Sequence, residues 1–145
     1  MEKEIVEINV LDELNKGACM GKDAIAFIMD KVKDSELKKE LEIQYNSYKS
    51  ISEKICELYP EYSEKQPHET SAMNKVMTWY GIEMKTLMDD STSKVAELLM
   101  QGTNMGIIEG RRLLNQKDTD VAVENLINEY VNMQEQAVEN LKKFL

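Results

Sequence analysis

Residues 14–21 read Leu-Asn-Lys-Gly-Ala-Cys-Met-Gly, and residues 99–106 read Leu-Met-Gln-Gly-Thr-Asn-Met-Gly. The leucine, both glycines and the methionine coincide at a single offset of 85 residues. Around both stretches apolar residues recur in steps of three and four, which is the spacing of one helical face. The repeat therefore predicts an internal duplication, in which a pair of helices occurs twice in the chain.

Each half of the chain is predicted to form an antiparallel helical hairpin. Asp34 and Ser35 interrupt the first apolar pattern and are residues that cap helix N-termini. Residues 116–119 play the same part in the second half. Short links of this kind join antiparallel helices. The predicted helices cover approximately residues 3–33, 35–58, 92–115 and 120–145, so the hairpins span residues 3–58 and 92–145.

The two hairpins are joined by residues 59–90. Both prolines lie in residues 59–71, where the helical periodicity stops, and methionine spacing predicts a further helix over about residues 71–88. If a pseudo-twofold axis relates the hairpins, this connection has to cross the whole length of the bundle. We therefore predict one all-α domain over residues 1–145, a four-helix bundle with an extra crossover helix. A plain up-and-down bundle is the alternative.

This arrangement and the repeated Leu-x-x-Gly stretches resemble the ferritin-like superfamily. The chain looks closest to small bacterial ferritin-like families of unknown function, whose hairpins begin with such a stretch. The resemblance covers most of the chain and implies the ferritin-like four-helix bundle as the fold.

The metal-binding members of that superfamily carry a glutamate on the first helix of each hairpin and a Glu-x-x-His motif on each second helix. Those side chains project inward to hold two irons. The equivalent positions here carry no strong metal ligand, and the only histidine, His68, lies in the proline-containing connection. The resemblance therefore implies the fold without the metal, and we expect no cofactor. The aligned residues are Ala18, Gln44, Tyr48, Thr103, Gln134 and Ala137.

Four polar residues of the predicted helices fall on or near their inward faces at mid-bundle. They are Gln44, Tyr48, Thr103 and Gln134. Buried polar groups need hydrogen-bond partners, so these side chains are predicted to form a cluster where the relatives would hold metal. The alternative is that they lie at the edge of the apolar seam and reach solvent.

Glycines recur at intervals of four on the first helix of each hairpin. They are Gly17 and Gly21 in the first half, and Gly102, Gly106 and Gly110 in the second. One interpretation is close packing of the two helix backbones. The other is a groove that admits a ligand or a partner helix.

Composition restricts the partners that the chain can have. A formal charge of −9 repels phosphate backbones and argues against nucleic-acid binding. No run of about eighteen apolar residues is present, so we expect no membrane span and a cytoplasmic location. Trp79 on the predicted crossover helix is a candidate contact in a homodimer.

The sequence supports three hypotheses about function. The first is a non-enzymatic structural or protein-interaction bundle that has lost the ferritin-like metal site. The second is an iron-binding ferritin-like oxidoreductase or storage protein, which would use surface carboxylates. The third is a small-molecule binder that uses the glycine-lined groove.

Overall fold

The structure is a computed structural model that describes residues 2–64, 91–115 and 119–145. In these ranges the chain is all-α, with four helices, one short 3-10 turn and no strand. The helices form a four-helix bundle, as predicted. They are α1 (Glu2–Met29), α2 (Ser35–Leu58), α3 (Thr92–Leu114) and α4 (Val121–Lys142), and the 3-10 turn is Tyr59–Glu61. The crossover helix predicted over residues 71–88 lies outside the described residues.

The predicted helix boundaries agree closely with the structure except at the ends of α1 and α4. The sequence predicts that α1 reaches about Lys33 and α4 about Leu145, whereas they end at Met29 and Lys142. Asp34 is the N-cap of α2 and has extended backbone (ψ 123°), and its Oδ1 accepts a hydrogen bond from the Leu37 backbone N–H at 2.9 Å. The preceding residues therefore leave the helix through two tight i→i−3 hydrogen bonds, from Lys31 and Val32.

Cross-helix contacts define the direction of each helix. The Ser52 hydroxyl of α2 donates a hydrogen bond to Asn15 Oδ1 of α1, and Nδ2 of Asn140 on α4 donates one to Glu40 Oε1 of α2. Lys54 pairs with Glu129 further along α2 and α4, so these two helices are antiparallel.

At one end of the bundle the start of α1 lies beside the start of α4. The Asp120 backbone N–H donates to Glu7 Oε1 at 2.8 Å, and the Tyr62 hydroxyl donates to Asp120 Oδ2 at 2.8 Å. At the other end, Leu37 lines a cleft together with Val95. Helix α2 therefore ends where α4 begins, whereas α3 begins at the opposite end of the bundle.

The core lies along the inward seams of all four helices, as their periodicity predicts. None of the helices in the described ranges is both long and apolar enough to cross a bilayer. The largest fully buried apolar side chains are Leu11, Leu14, Ile28, Leu37, Leu41, Ile51, Ile55, Tyr59, Ile127 and Leu141.

Glycines give the first helix of each hairpin room for large side chains from neighbouring helices. Helix α1 continues unbroken through Gly17 and Gly21. A Cβ at Gly21 would lie 2.5 Å from Cε1 and Cζ of the Tyr48 ring, and a Cβ at Gly17 would clash with the Tyr130 hydroxyl. The glycines are therefore approached by side chains of α2 and α4.

Replacing Gly21 by alanine should destabilise the protein. Alanine favours the helix by about 1 kcal/mol. Its methyl group, however, would overlap the buried ring of Tyr48, and overpacking of this kind costs about 1–3 kcal/mol. The difference between these two effects is a net loss of up to about 2 kcal/mol in the free energy of unfolding measured with urea. A gain in stability of about 1 kcal/mol, the value of the helix preference alone, would show that Tyr48 does not lie against Gly21.

Candidate functional site

A groove with a volume of about 580 Å³ runs between α1 and α3 in the described part of the structure. Helix α1 contributes Gly17 and Met20, α3 contributes Met105 and Ile108, and side chains of α4 form the floor. We call this feature the α1–α3 groove. A volume of this size is typical of pockets for small organic molecules.

Tyr130 and Gln134 of α4 form the polar floor of the groove. They are one helical turn apart, and both line the groove although each is almost completely buried. The Tyr130 hydroxyl lies over Gly17, and the Gln134 carbonyl oxygen lies over Gly106. Glycine on α1 and α3 therefore leaves space for these polar groups between the helices.

Tyr48 of α2 contacts both side chains of the groove floor. Its hydroxyl donates to Gln134 Oε1 at 3.3 Å, and its ring meets that of Tyr130 edge to face, with centroids 6.4 Å apart. Nε2 of Gln134 is buried and has no hydrogen-bond partner among the described residues. Three polar side chains from α2 and α4 thus fill the centre of the bundle.

The structure brings together two of the four residues in the predicted mid-bundle cluster, Tyr48 and Gln134. Gln44 is buried but donates to Glu40 Oε1 at 2.9 Å, one turn earlier on its own helix. The Thr103 hydroxyl donates at 2.8 Å to the Leu99 backbone carbonyl. Both are therefore satisfied within their own helices, and Tyr130 contacts the pair instead.

The five glycines that recur at intervals of four do not share one environment. Gly17, Gly106 and Gly110 line the groove, and Gly21 lies under the Tyr48 ring. Gly102 is half-buried and does not line the groove. Trp79, the candidate dimer contact, lies outside the described residues.

The rim of the groove carries both signs of charge. Glu13 and Lys16 lie on α1, and Glu109 and Arg112 lie on α3. Arg112 pairs with Glu109 at 2.7 Å, with both side chains more than half exposed to solvent. Exposed pairs contribute little to stability, so this rim shapes the local potential more than it holds the helices together.

The residues that the sequence analysis aligned with the di-iron ligands of ferritin-like proteins do not fit such a centre. Ala18 and Ala137 are buried aliphatic side chains, and the Thr103 hydroxyl is bonded to its own helix. Gln134 and Tyr48 bond to each other. Irons in these bundles need carboxylates and imidazoles. Within the part of the chain that the structure describes, no group of three or more acidic, histidine or cysteine side chains converges to hold a metal ion.

Two features of the structure have little signal in the sequence. Tyr130 follows the apolar spacing of three and four residues along the last helix, but nothing local shows that its hydroxyl lies over Gly17. Glu7 is a fully buried carboxylate that accepts a hydrogen bond from the Asp120 backbone at the opposite end of the chain. The one sequence feature that indicates its burial is the position of this charged residue among the apolar residues of α1.

Tyr130 should make stability depend on alkaline pH. Burial raises the pKa of its hydroxyl well above the usual 10.0, the charge of Glu109 adds to the rise, and the adjoining Gln134 amide offsets part of it. Tyrosine in the unfolded chain loses its proton near pH 10, whereas the folded protein keeps Tyr130 neutral. The stability present below pH 10 is therefore lost as the pH rises above it, by up to about 1.4 kcal/mol per pH unit for one such group.

The measurement is the urea midpoint between pH 8 and 11.5 for the wild type and for Tyr130→Phe. The variant should lose stability less steeply above pH 10, because one proton fewer is released on unfolding. Identical slopes would contradict the burial of a neutral hydroxyl at this position.

Neither a protein-family model, nor a curated protein, nor a solved structure matches this chain. The geometry of the α1–α3 groove and its floor is therefore the basis for a functional assignment.

Proposed function

We propose that this protein is a non-enzymatic, ferritin-like bundle that binds a small, mostly apolar molecule in the α1–α3 groove. The ferritin-like part of the proposal is supported by helix directions. Neighbouring helices run antiparallel, and α2 ends at the opposite end of the bundle from the start of α3. A bundle of two hairpins with one long crossover has this arrangement.

The proposed duplication is supported by the parallel surroundings of two repeat glycines. Gly21 on α1 faces Tyr48 of α2, and Gly106 on α3 faces Gln134 of α4. In each hairpin, then, the second glycine of the repeat gives space to a polar side chain of the partner helix. These two side chains share the hydrogen bond at the bundle centre.

The observation that carries the binding function is the combination of apolar walls with a polar floor. Met105 and Ile108 are 52% and 51% exposed, lie three residues apart on one face of α3, and together form an apolar wall of the groove. Tyr130 and Gln134 lie below them. Pockets for small molecules are largely apolar and contain a few convergent polar groups, as here.

The chemistry of the floor favours binding over catalysis. A side-chain amide does not ionise at ordinary pH, and burial keeps the Tyr130 hydroxyl in its neutral form. The floor can therefore orient a ligand by hydrogen bonds, while general acid–base work near neutral pH needs a group that titrates there.

The proposal predicts saturable binding of 2-ethylnaphthalene, a hydrophobic probe that fits a groove of this size. With ¹³C-methyl methionine, the methyl signals of Met20 and Met105 should shift on titration, since both side chains line the groove. Ile108→Glu should weaken binding about tenfold or more, because it places a carboxylate against the apolar probe. Ile43→Glu is the matched control, since Ile43 is 60% exposed on α2 away from the groove.

Absence of a saturable shift in the wild type, or equal loss of binding in both glutamate variants, would contradict the proposal. Elemental analysis after anaerobic loading with Fe(II) separates the competing iron hypothesis. Stoichiometric bound iron would favour the oxidoreductase or storage function instead.

A further inference from the structure

In the side-chain amide of Gln134 the oxygen is hydrogen-bonded, whereas the nitrogen has no hydrogen-bond acceptor among the described residues. The residue is only 1% exposed, and its Oε1 accepts the hydrogen bond from Tyr48. Its Nε2 is buried and has no hydrogen-bond partner among the described residues. A buried N–H group without an acceptor is costly, and such groups are rare in proteins.

The unsatisfied amide lies at the floor of the α1–α3 groove. Gln134 lines the groove, and its Oε1 lies against Gly106, which has no side chain to cover the amide. The last torsion of a glutamine side chain is soft, so half a turn exchanges Nε2 and Oε1 without movement of the main chain. One N–H of Nε2 then faces the groove beside Gly106, and the other can donate to the Tyr48 hydroxyl oxygen in place of the present hydrogen bond. An acceptor atom brought in by a ligand would therefore meet a donor that is otherwise unsatisfied.

The charges around the groove favour a neutral acceptor. The rim holds two acidic and two basic side chains, of which Glu109 and Arg112 pair with each other. The floor itself consists of glycines, Tyr130 and Gln134, all uncharged near neutral pH. A carboxylate placed there would lose its hydration without gaining a cation, whereas a carbonyl oxygen needs only one donor.

We propose that the ligand of the α1–α3 groove is a neutral, mostly apolar molecule whose carbonyl oxygen accepts a hydrogen bond from Gln134 Nε2. This assignment rests on the proposed function and names the chemical class that the groove selects. The apolar body lies against Met105 and Ile108, and the carbonyl group points to the floor.

Two probes of nearly equal shape test the assignment. 2-Acetylnaphthalene carries a carbonyl group where 2-ethylnaphthalene carries a methylene group. Their dissociation constants are measured from the Met20 and Met105 methyl signals, and the ratio of the two constants is the readout. Comparing this ratio between variants cancels the different solubility of the probes in water.

Gln134→Leu should reduce the preference for 2-acetylnaphthalene roughly three- to tenfold, the value of one net hydrogen bond. It should retain binding of 2-ethylnaphthalene. Gln134→Met, which keeps an unbranched chain, serves as a second variant if leucine impairs folding. Gln136→Leu, an exposed position on the same helix, is the matched control and should leave the ratio unchanged.

The outcomes separate the two levels of the argument. If 2-ethylnaphthalene does not bind the wild type, the proposed function fails and this assignment fails with it. If both probes bind and Gln134→Leu leaves their ratio unchanged, the groove stands and the carbonyl assignment is overturned. Tighter binding of 2-naphthoate than of 2-acetylnaphthalene would overturn the neutral class of ligand.

Discussion

The hydrogen bond between the Tyr48 hydroxyl and Gln134 Oε1 joins the two hairpins at the centre of the bundle. Both side chains are large and polar, and both are buried among aliphatic residues. They fit because the positions facing them on α1 and α3 are Gly21 and Gly106, where a Cβ would overlap them. The glycine repeat and the central polar pair are thus two sides of one steric constraint.

The α1–α3 groove follows from the same constraint. Glycine on two facing helices removes side-chain volume from their interface, and Tyr130 and Gln134 of α4 occupy only the deeper part of that space. The outer part remains as a groove between Met20, Met105 and their neighbours. A bundle whose centre is filled with neutral polar side chains is suited to hold an organic molecule at its side. The amide of Gln134 can orient that molecule by a hydrogen bond.

Local signals explain why the fold was largely predictable. Helical periodicity and capping residues act over a few positions, so α2 and α3 begin and end within about one residue of their predicted limits. Helix α4 also begins within one residue of its predicted start, but it ends at Lys142, three residues before the predicted end. Helix α1 ends earlier than predicted, because Lys31 and Val32 make i→i−3 hydrogen bonds in place of helical ones before the extended Asp34 cap. The sequence pattern places Gln44 in the central cluster, whereas in the structure its partner Glu40 lies one turn away on the same helix. The inward-facing positions of Tyr48 and Gln134 predict that these two side chains lie close together, as the structure shows. The contact of Gly17 with Tyr130 joins residues distant in sequence, and no local pattern specifies it.

The packing of the bundle centre depends on glycines that leave room for specific side-chain atoms. A double-mutant cycle between Gly17→Ala and Tyr130→Phe tests it, because the phenylalanine removes the hydroxyl oxygen over Gly17. In the wild-type background, Gly17→Ala should lower the free energy of unfolding. In the Tyr130→Phe background the same change should be neutral or stabilising, with an interaction energy of about 1–2 kcal/mol. Additive effects of the two substitutions would contradict the close approach of Tyr130 to Gly17, and with it the steric basis of the groove.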